Sequence, residues 1–221
     1  MDLHAGAIQG FFGVPTDHLN ARPPIINAMP LDDFDVFVAP DQGASTMVQH
    51  WAEDCGKLLV TIGKRRIDNK TTKIKFVLGK VSGKRCLIID DLVATGGTLV
   101  EAAEKLLSKG AISVDLAVVH PVMVGNAFEK MLKQRSSGDP VIHRIWTTDS
   151  IPVLNRIPKG ISFPADKIKV VSVANLLGEA MKQIYCNGSV SQLFDRKGYT
   201  RAISGNGTAS SSDELEPVGK A

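Results

Sequence analysis

Cysteine is scarce in this chain. Three thiols in 221 residues, Cys55, Cys86 and Cys186, stand far apart and in no spacing that suits zinc or a dithiol pair. An odd, scattered set excludes a disulfide-stapled secreted module and implies a reduced, cytoplasmic setting. Charge of one sign is also short. The 26 Lys and Arg against 23 Asp and Glu leave +3, too little to argue for nucleic acid by itself. No apolar run approaches the roughly 18 residues that a membrane span needs. The first residues, MDLHAGAIQG, have neither a basic start nor an apolar stretch, so no secretory leader is read there. What remains is an ordinary globular composition, 43% hydrophobic and 22% charged, long enough for one large domain with appendages.

Strand and helix signals alternate through the middle of the chain. DVFVAP, from Asp35, is β-branched and runs into Pro-Asp-Gln-Gly. STMVQHWAEDCG then puts Met47, Val48, Trp51 and Ala52 on one helical face, with Gly56 as its C-cap. KLLVTIG is a strand, and the basic, polar KRRIDNKTTKIK after it reads as a loop. FVLGKVSGKRCLIIDD reads as a hairpin-like strand, a Ser-Gly-Lys turn and a fully buried strand. TLVEAAEKLLSKGA is a helix whose Val100, Ala103, Leu106 and Leu107 share a face, closed by Gly110. ISVDLAVVHPVM and VIHRIWTTDS are strands around a helix NAFEKMLKQRS, and KIKVVSVANLLGEAMKQIYC supplies a last strand and helix.

This alternation predicts an α/β fold, doubly wound, with a mainly parallel sheet flanked by helices. In such sheets ligands sit beyond the carboxyl ends of the strands. PDQGAS, GKRR and DDLVATGGT each follow a strand, so each lies where a site is expected. The ends differ from the middle. Residues 1–30 are proline-broken and read as the end of another, truncated domain, residues 31–201 as the α/β domain, and residues 202–221 as a disordered Gly/Ser-rich, acidic tail. No internal repeat is visible.

CLIIDDLVATGGTLVEAAEKL, from Cys86, carries the chemistry. A buried strand that ends in a glycine turn and opens onto a helix presents unpaired amides and the positive helix end to one point. Thr95 and Thr98 add hydroxyls there, while Gly96 and Gly97 let the main chain approach a ligand closely. That is a cradle for a monophosphate. Asp90 and Asp91, a turn away, are acceptors suited to vicinal hydroxyls, directly or through a divalent cation. Phosphate at one end and a diol at the other describe a pentose 5-phosphate. The bland alternative is a helix cap in which Asp-Asp saturates orphan amides; two acids and two threonines exceed what a cap requires.

LIIDDLVATGGT resembles the phosphoribosyl-diphosphate motif of type I phosphoribosyltransferases. DLHAGAIQGFFGVPTDHL, APDQGAS, GKRR and SVSQLF, in that order, resemble the ribose-phosphate diphosphokinases, or phosphoribosyl pyrophosphate synthetases, over residues 2–194. The resemblance implies a type I phosphoribosyltransferase-like fold. It also implies transfer of the diphosphoryl group of Mg-ATP to C1 of ribose 5-phosphate, giving phosphoribosyl diphosphate and AMP. By the same resemblance, Asp90, Asp91, Ala94, Thr95, Gly96, Gly97 and Thr98 bind ribose 5-phosphate, and Lys64 and Arg66 are the catalytic residues of a flap over the phosphates. His4, Asp41, Asp2 and Asp17 are the implied ligands of Mg2+. Partners are ATP, ribose 5-phosphate and further subunits, as a homo-oligomer or with synthetase subunits, and neither nucleic acid nor a membrane.

Some positions depart from that pattern. The family's preceding domain, which contacts adenine and triphosphate, has no counterpart in this sequence. Ala94 and Gly13 stand where aspartates are usual, and Pro-Asp-Gln-Gly lacks the usual glycine pair. Two other readings therefore stay open: a non-catalytic synthetase-associated subunit, and a nucleobase phosphoribosyltransferase. His18, His50, His120 and His143 show no partnering spacing and read as structural, and Trp51 and Trp146 as core.

Overall fold

Runs of Val, Ile and Leu too short for helices and apolar at every position have to be buried on both faces, and that is how the central strands sit. The computed structural model describes residues 1–66, 72–158 and 164–204, with the side chains of 64–66 and 72–75 outside the described part. The element order is α1 (Arg22–Ala28), β1 (Val36–Ala39), α2 (Ser45–Cys55), β2 (Leu58–Arg66), β3 (Thr72–Leu78), β4 (Arg85–Leu92) and α3 (Gly97–Ser108). There follow β5 (Ser113–His120), α4 (Ala127–Met131), β6 (Ile145–Thr148), β7 (Ile168–Val171), α5 (Ala174–Tyr185) and α6 (Arg196–Ile203). Seven strands form one sheet in the order β3-β2-β1-β4-β5-β6-β7, parallel throughout except for the antiparallel β2–β3 pair. The expected α/β class, with helices on both faces of a mainly parallel sheet, is what forms.

Strand alternation divides the core in two. Val36, Val38, Ile88, Leu116 and Val118 face one way and pack under α3 and α4 through Leu99, Ala103, Leu106, Phe128 and Met131. Phe37, Ala39, Leu87, Ile89, Ala117 and Trp146 face the other way, against Ile25 and Ile26 of α1 and Val48, Trp51 and Ala52 of α2. Gly56 takes the left-handed conformation (φ 62°) and ends α2, as its position in the sequence implied. Both tryptophans are core, as expected. Among the described residues, no helix is long and apolar enough to cross a membrane.

Four sequence readings change. The expected loop at KRR is the end of β2, and its continuation past the undescribed residues 67–71 is β3, so the two form an antiparallel arm at the sheet edge. The strands on either side of Ser82-Gly83-Lys84 are not a hairpin, because β2 and β1 lie between β3 and β4. The expected boundary at residue 30 marks no break in packing, since Ile25, Ile26 and Met29 belong to the second core cluster. The expected tail from 202 starts inside α6; residues 205–221 lie outside the described part. α6 and α5 bury Leu176, Ala180 and Tyr199 together with Leu19 and Leu193 in a third, smaller cluster.

One buried hydroxyl is out of place. Thr147 is fully buried in β6, between Val118 of β5 and Val170 of β7 in register, and its Oγ1 has no hydrogen-bond partner among the described residues. A buried polar atom without a partner costs folding free energy that an isosteric methyl does not. Thr147→Val is therefore expected to stabilise the protein by about 1 kcal/mol, read as a raised thermal midpoint. A lowered midpoint would mean that the hydroxyl is satisfied in solution.

Candidate active site

The chain winds outward from β1 to β2 and then returns to build β4 on the other side of β1. Adjacent loops that leave a parallel sheet in opposite directions open a crevice at its carboxyl end. Here those loops follow β1 and β4, and a cleft of about 540 Å3 lies there. Asp41, Gly43 and Ala44 line it from the β1 side. Asp90, Asp91, Ala94, Thr95, Gly96 and Thr98 line it from the β4 side, and Asp2, Leu3, His4 and His18 close it from above.

The turn after β4 is built for close approach. Gly96 has φ 72°, and a Cβ there would also stand 3.2 Å from Met131 Sδ, so both backbone and space call for glycine. α3 starts at Gly97 and runs twelve residues, so its first amides point into the cleft without helical acceptors. The carbonyls of the turn are held from behind: Met123 N–H donates to Val93 O at 2.8 Å, and Val124 N–H to Ala94 O at 2.9 Å. Val93 N–H in turn donates to His120 O at 3.0 Å. Thr95 and Thr98 are exposed at the mouth. Thus amides, two hydroxyls and a helix start converge where a phosphate was expected.

The acids lie deeper. Asp90 Oδ1 accepts from Asp91 N–H at 3.0 Å. Burial, then the neighbouring Asp91 and Asp41 charges, raise the Asp90 carboxyl to about 7. His4 Nδ1 lies 2.7 Å from Asp91 Oδ2, and that contact holds the imidazole above its usual pKa. Asp41 Oδ1 accepts from Ala44 N–H at 3.2 Å. Asp2 faces the cleft, but its Oδ2 accepts from Ala21 N–H at 2.7 Å, and burial raises its carboxyl.

The four expected magnesium ligands do not form a cage. Among the described residues, no three His, Cys, Asp or Glu side chains converge to hold an ion on their own. Asp17 is exposed and outside the cleft lining, and Asp2 is engaged in holding its own loop. Asp41 from one side and Asp90 and Asp91 from the other crowd negative charge into the cleft, which suits a hard cation that brings its own water and phosphate oxygens. That donor set fits Mg2+ held by one or two carboxylates. Of the remaining predicted site residues, Gly97 opens α3 beside the cleft, while Lys64 and Arg66 are placed by their backbone on β2 and their side chains lie outside the described part.

Two residues at this site escaped the sequence reading. His18 Nε2 accepts from Leu3 N–H at 2.7 Å and so sets the direction of the chain into His4. His120, at the end of β5, lies 3.1 Å through Nε2 from Asp2 O and 2.8 Å through Nδ1 from Ser150 Oγ. No spacing signal exists for contacts 15 and 118 residues apart.

The family model for the phosphoribosyl synthetase-associated domain matches residues 60–195, well over half of the chain. The chain belongs to that family. Among curated proteins, phosphoribosyl synthetase-family relatives named ribose-phosphate pyrophosphokinase include one from Chlorobaculum tepidum, 34% identical over 92% of this chain and 60% of the relative. One from Caldanaerobacter subterraneus is 40% identical over 88% of this chain and 58% of the relative. The crystal structure of phosphoribosylpyrophosphate synthetase from Mycobacterium smegmatis superposes with a TM-score of 0.66 at 30% identity, covering 84% of this chain and 57% of that one. The chain thus spans about 60% of the length of the curated relatives it matches.

Proposed function

We propose that this chain is the sugar-phosphate-binding, catalytic part of a ribose-phosphate diphosphokinase, which moves the diphosphoryl group of ATP to C1 of ribose 5-phosphate and releases AMP. The observation that carries the reading is one crevice with two chemistries: an amide-lined turn with two threonines, and a carboxylate pair within the same cleft. Thr95, Gly96, Gly97, Thr98 and the backbone of Ala94 hold the 5-phosphate, and Asp90 and Asp91 accept from the ribose hydroxyls. Mg2+, held by Asp41 with Asp91 or His4, supplies charge neutralisation for the ATP phosphates. Asp2 and Asp17 hold and flank the N-terminal segment instead of binding the ion. Lys64 and Arg66 add positive charge over the transferring group, which is where such reactions gain most. The names of the relatives and the order of the DLHA, PDQG, GKRR and DDLVATGGT segments support this assignment.

The test has two arms. Calorimetric titration of ribose 5-phosphate into the protein with magnesium present is expected to give saturable heat, lost in Gly96→Val. AMP release from ATP is expected only when ribose 5-phosphate is present. No heat with folded protein overturns the reading of the cleft. Heat without AMP leaves the cleft in place and assigns the chain to the non-catalytic subunit. Phosphoribosyl diphosphate consumption that depends on a free base would assign it to the transferases instead.

A further inference from the structure

The wall that carries His4 is held unusually lightly. Residues 3–18 contain no buried side chain, and the 3-10 turn at Gly6–Phe11 buries nothing. Packing does not fix this strap, so hydrogen bonds must. Several are internal to its own neighbourhood: Asp2 N–H donates to Leu19 O at 2.9 Å, Leu3 N–H to His18 Nε2 at 2.7 Å, and Ala21 N–H to Asp2 Oδ2 at 2.7 Å. Among the described residues, two hydrogen bonds run from residues 1–18 to the sheet. One is His4 with Asp91, and the other is His120 with the Asp2 carbonyl.

The second bond has a fixed direction. Thr148 Oγ1 donates to Val119 O at 2.8 Å and accepts from Ser150 N–H at 3.1 Å. The Ser150 hydroxyl is 2.8 Å from His120 Nδ1 and can donate to it. A carbonyl oxygen can only accept, so His120 has to carry its proton on Nε2 to bond Asp2 O. In the neutral ring Nδ1 is then an acceptor, and the Ser150 hydroxyl can donate to it, which supports that tautomer. Meanwhile the His120 carbonyl accepts from Val93 N–H, the first residue of the sugar-phosphate turn. One residue therefore grips the turn with its main chain and the strap with its ring.

We infer that His120 is a positioning residue that couples the Val93–Thr98 turn to the N-terminal strap, in the tautomer fixed by the Asp2 carbonyl, and thereby sets His4 against Asp91. The role assigned to the ligand rests on the reading of the turn as a ribose 5-phosphate site; the coupling itself does not. Seating a phosphate in the turn stiffens Val93, His120 and, through the ring, Asp2 and Leu3. Met123, buried and in the left-handed region at φ 43°, closes the same unit by donating to Val93 O.

Hydrogen exchange of the full chain tests this without any assay of turnover. In unliganded His120→Ala, amides of residues 2–12 are expected to exchange roughly 3- to 10-fold faster, the factor that one neutral hydrogen bond is worth, with the amides of β4 and β5 unchanged. His120→Gln, whose amide nitrogen can take the place of Nε2, should restore the slow rate. His120→Asn, which cannot reach Asp2 O, should not, and Ser150→Ala should resemble the alanine variant in part. Adding ribose 5-phosphate should slow strap exchange in the unsubstituted protein and not in His120→Ala. Equal strap exchange in the unsubstituted and alanine proteins, or identical behaviour of the Gln and Asn variants, overturns the coupling. Failure of ribose 5-phosphate to bind at all would overturn the functional reading and leave the unliganded comparison intact. If strap exchange is unchanged by bound ligand in the unsubstituted protein, the linkage to ligand is wrong.

Discussion

Asp115→Ala is expected to cost the fold about 3–5 kcal/mol, one of the largest single-site losses open to this protein. Asp115 is 2% exposed, near the start of β5. Its Oδ2 accepts from Arg144 Nε at 3.0 Å and from Arg144 Nη2 at 2.8 Å, and its Oδ1 accepts from Arg144 N–H at 3.1 Å. His143 Nδ1 adds a fourth contact at 3.2 Å. Removing the carboxylate strands a guanidinium that lies 4.9 Å over the Trp146 ring and 5.8 Å from that of Phe34. Asp33 still reaches Arg144 Nη1 at 2.9 Å, which draws the loss toward the lower end of the range. Asp33→Ala, at a carboxylate 43% exposed, should cost less than about 1 kcal/mol. Urea unfolding of both variants, with the slope unchanged, checks the contrast. A loss below about 1 kcal/mol for Asp115→Ala would mean that the ring faces alone hold Arg144.

That pair marks a division of labour along the strands. Asp115, Arg144 and the Asp35–Arg85 pair sit at the amino ends of β5, β6, β1 and β4, where Arg85 draws the Asp35 carboxyl down to about 2. The β1 and β4 groups of the cleft sit at the carboxyl ends. Asp90, Asp91 and Asp41 repel one another there, a crowding that a bound cation would offset. Asp115→Ala should therefore bind ribose 5-phosphate normally below its unfolding transition.

What could be read from sequence follows the range of the interactions. The β4 turn and α3 were legible because an apolar run, two acids, two glycines and an amphipathic helix lie within one short stretch. The arm made by β2 and β3 was not, because KRRIDNKTTKIK has little apolar alternation and its strand state comes from pairing at the sheet edge. α6 was lost for a related reason. DRKGYTRAIS is polar and contains Gly198, and its helix rests on Asp195 accepting from Gly198 N–H at 2.8 Å and on burial of Tyr199. His18 and His120 act through partners that no window in the sequence contains. The strand order was equally hidden, although it is the order that brings Asp41 beside Asp90.

Lys64→Ala is expected to lower turnover by about 10²- to 10³-fold, the usual effect of removing one preorganised group facing transition-state charge, with little change in ribose 5-phosphate affinity. The backbone supplies the argument. Thr61 pairs with Ala39, the last residue of β1, so β2 continues past the end of β1 on the side where the cleft opens. At about 3.3 Å per residue, Lys64 lies about 10 Å and Arg66 about 17 Å beyond that pairing, along the arm. The register between β2 and β3 shifts at Gly63/Lys64, and the Phe76 ring occupies the space that a Cβ on Gly63 would need. A register shift of this kind bends a strand, which places the bend at the base of the arm, just before Lys64. The turn proposed to hold the 5-phosphate follows β4, with β1 between β4 and the arm, so sugar-phosphate binding should not depend on Lys64. Steady-state rates together with calorimetric affinity for ribose 5-phosphate separate the two effects. Equal loss in rate and affinity would place Lys64 in ground-state binding, and an unchanged rate would remove the arm from the chemistry.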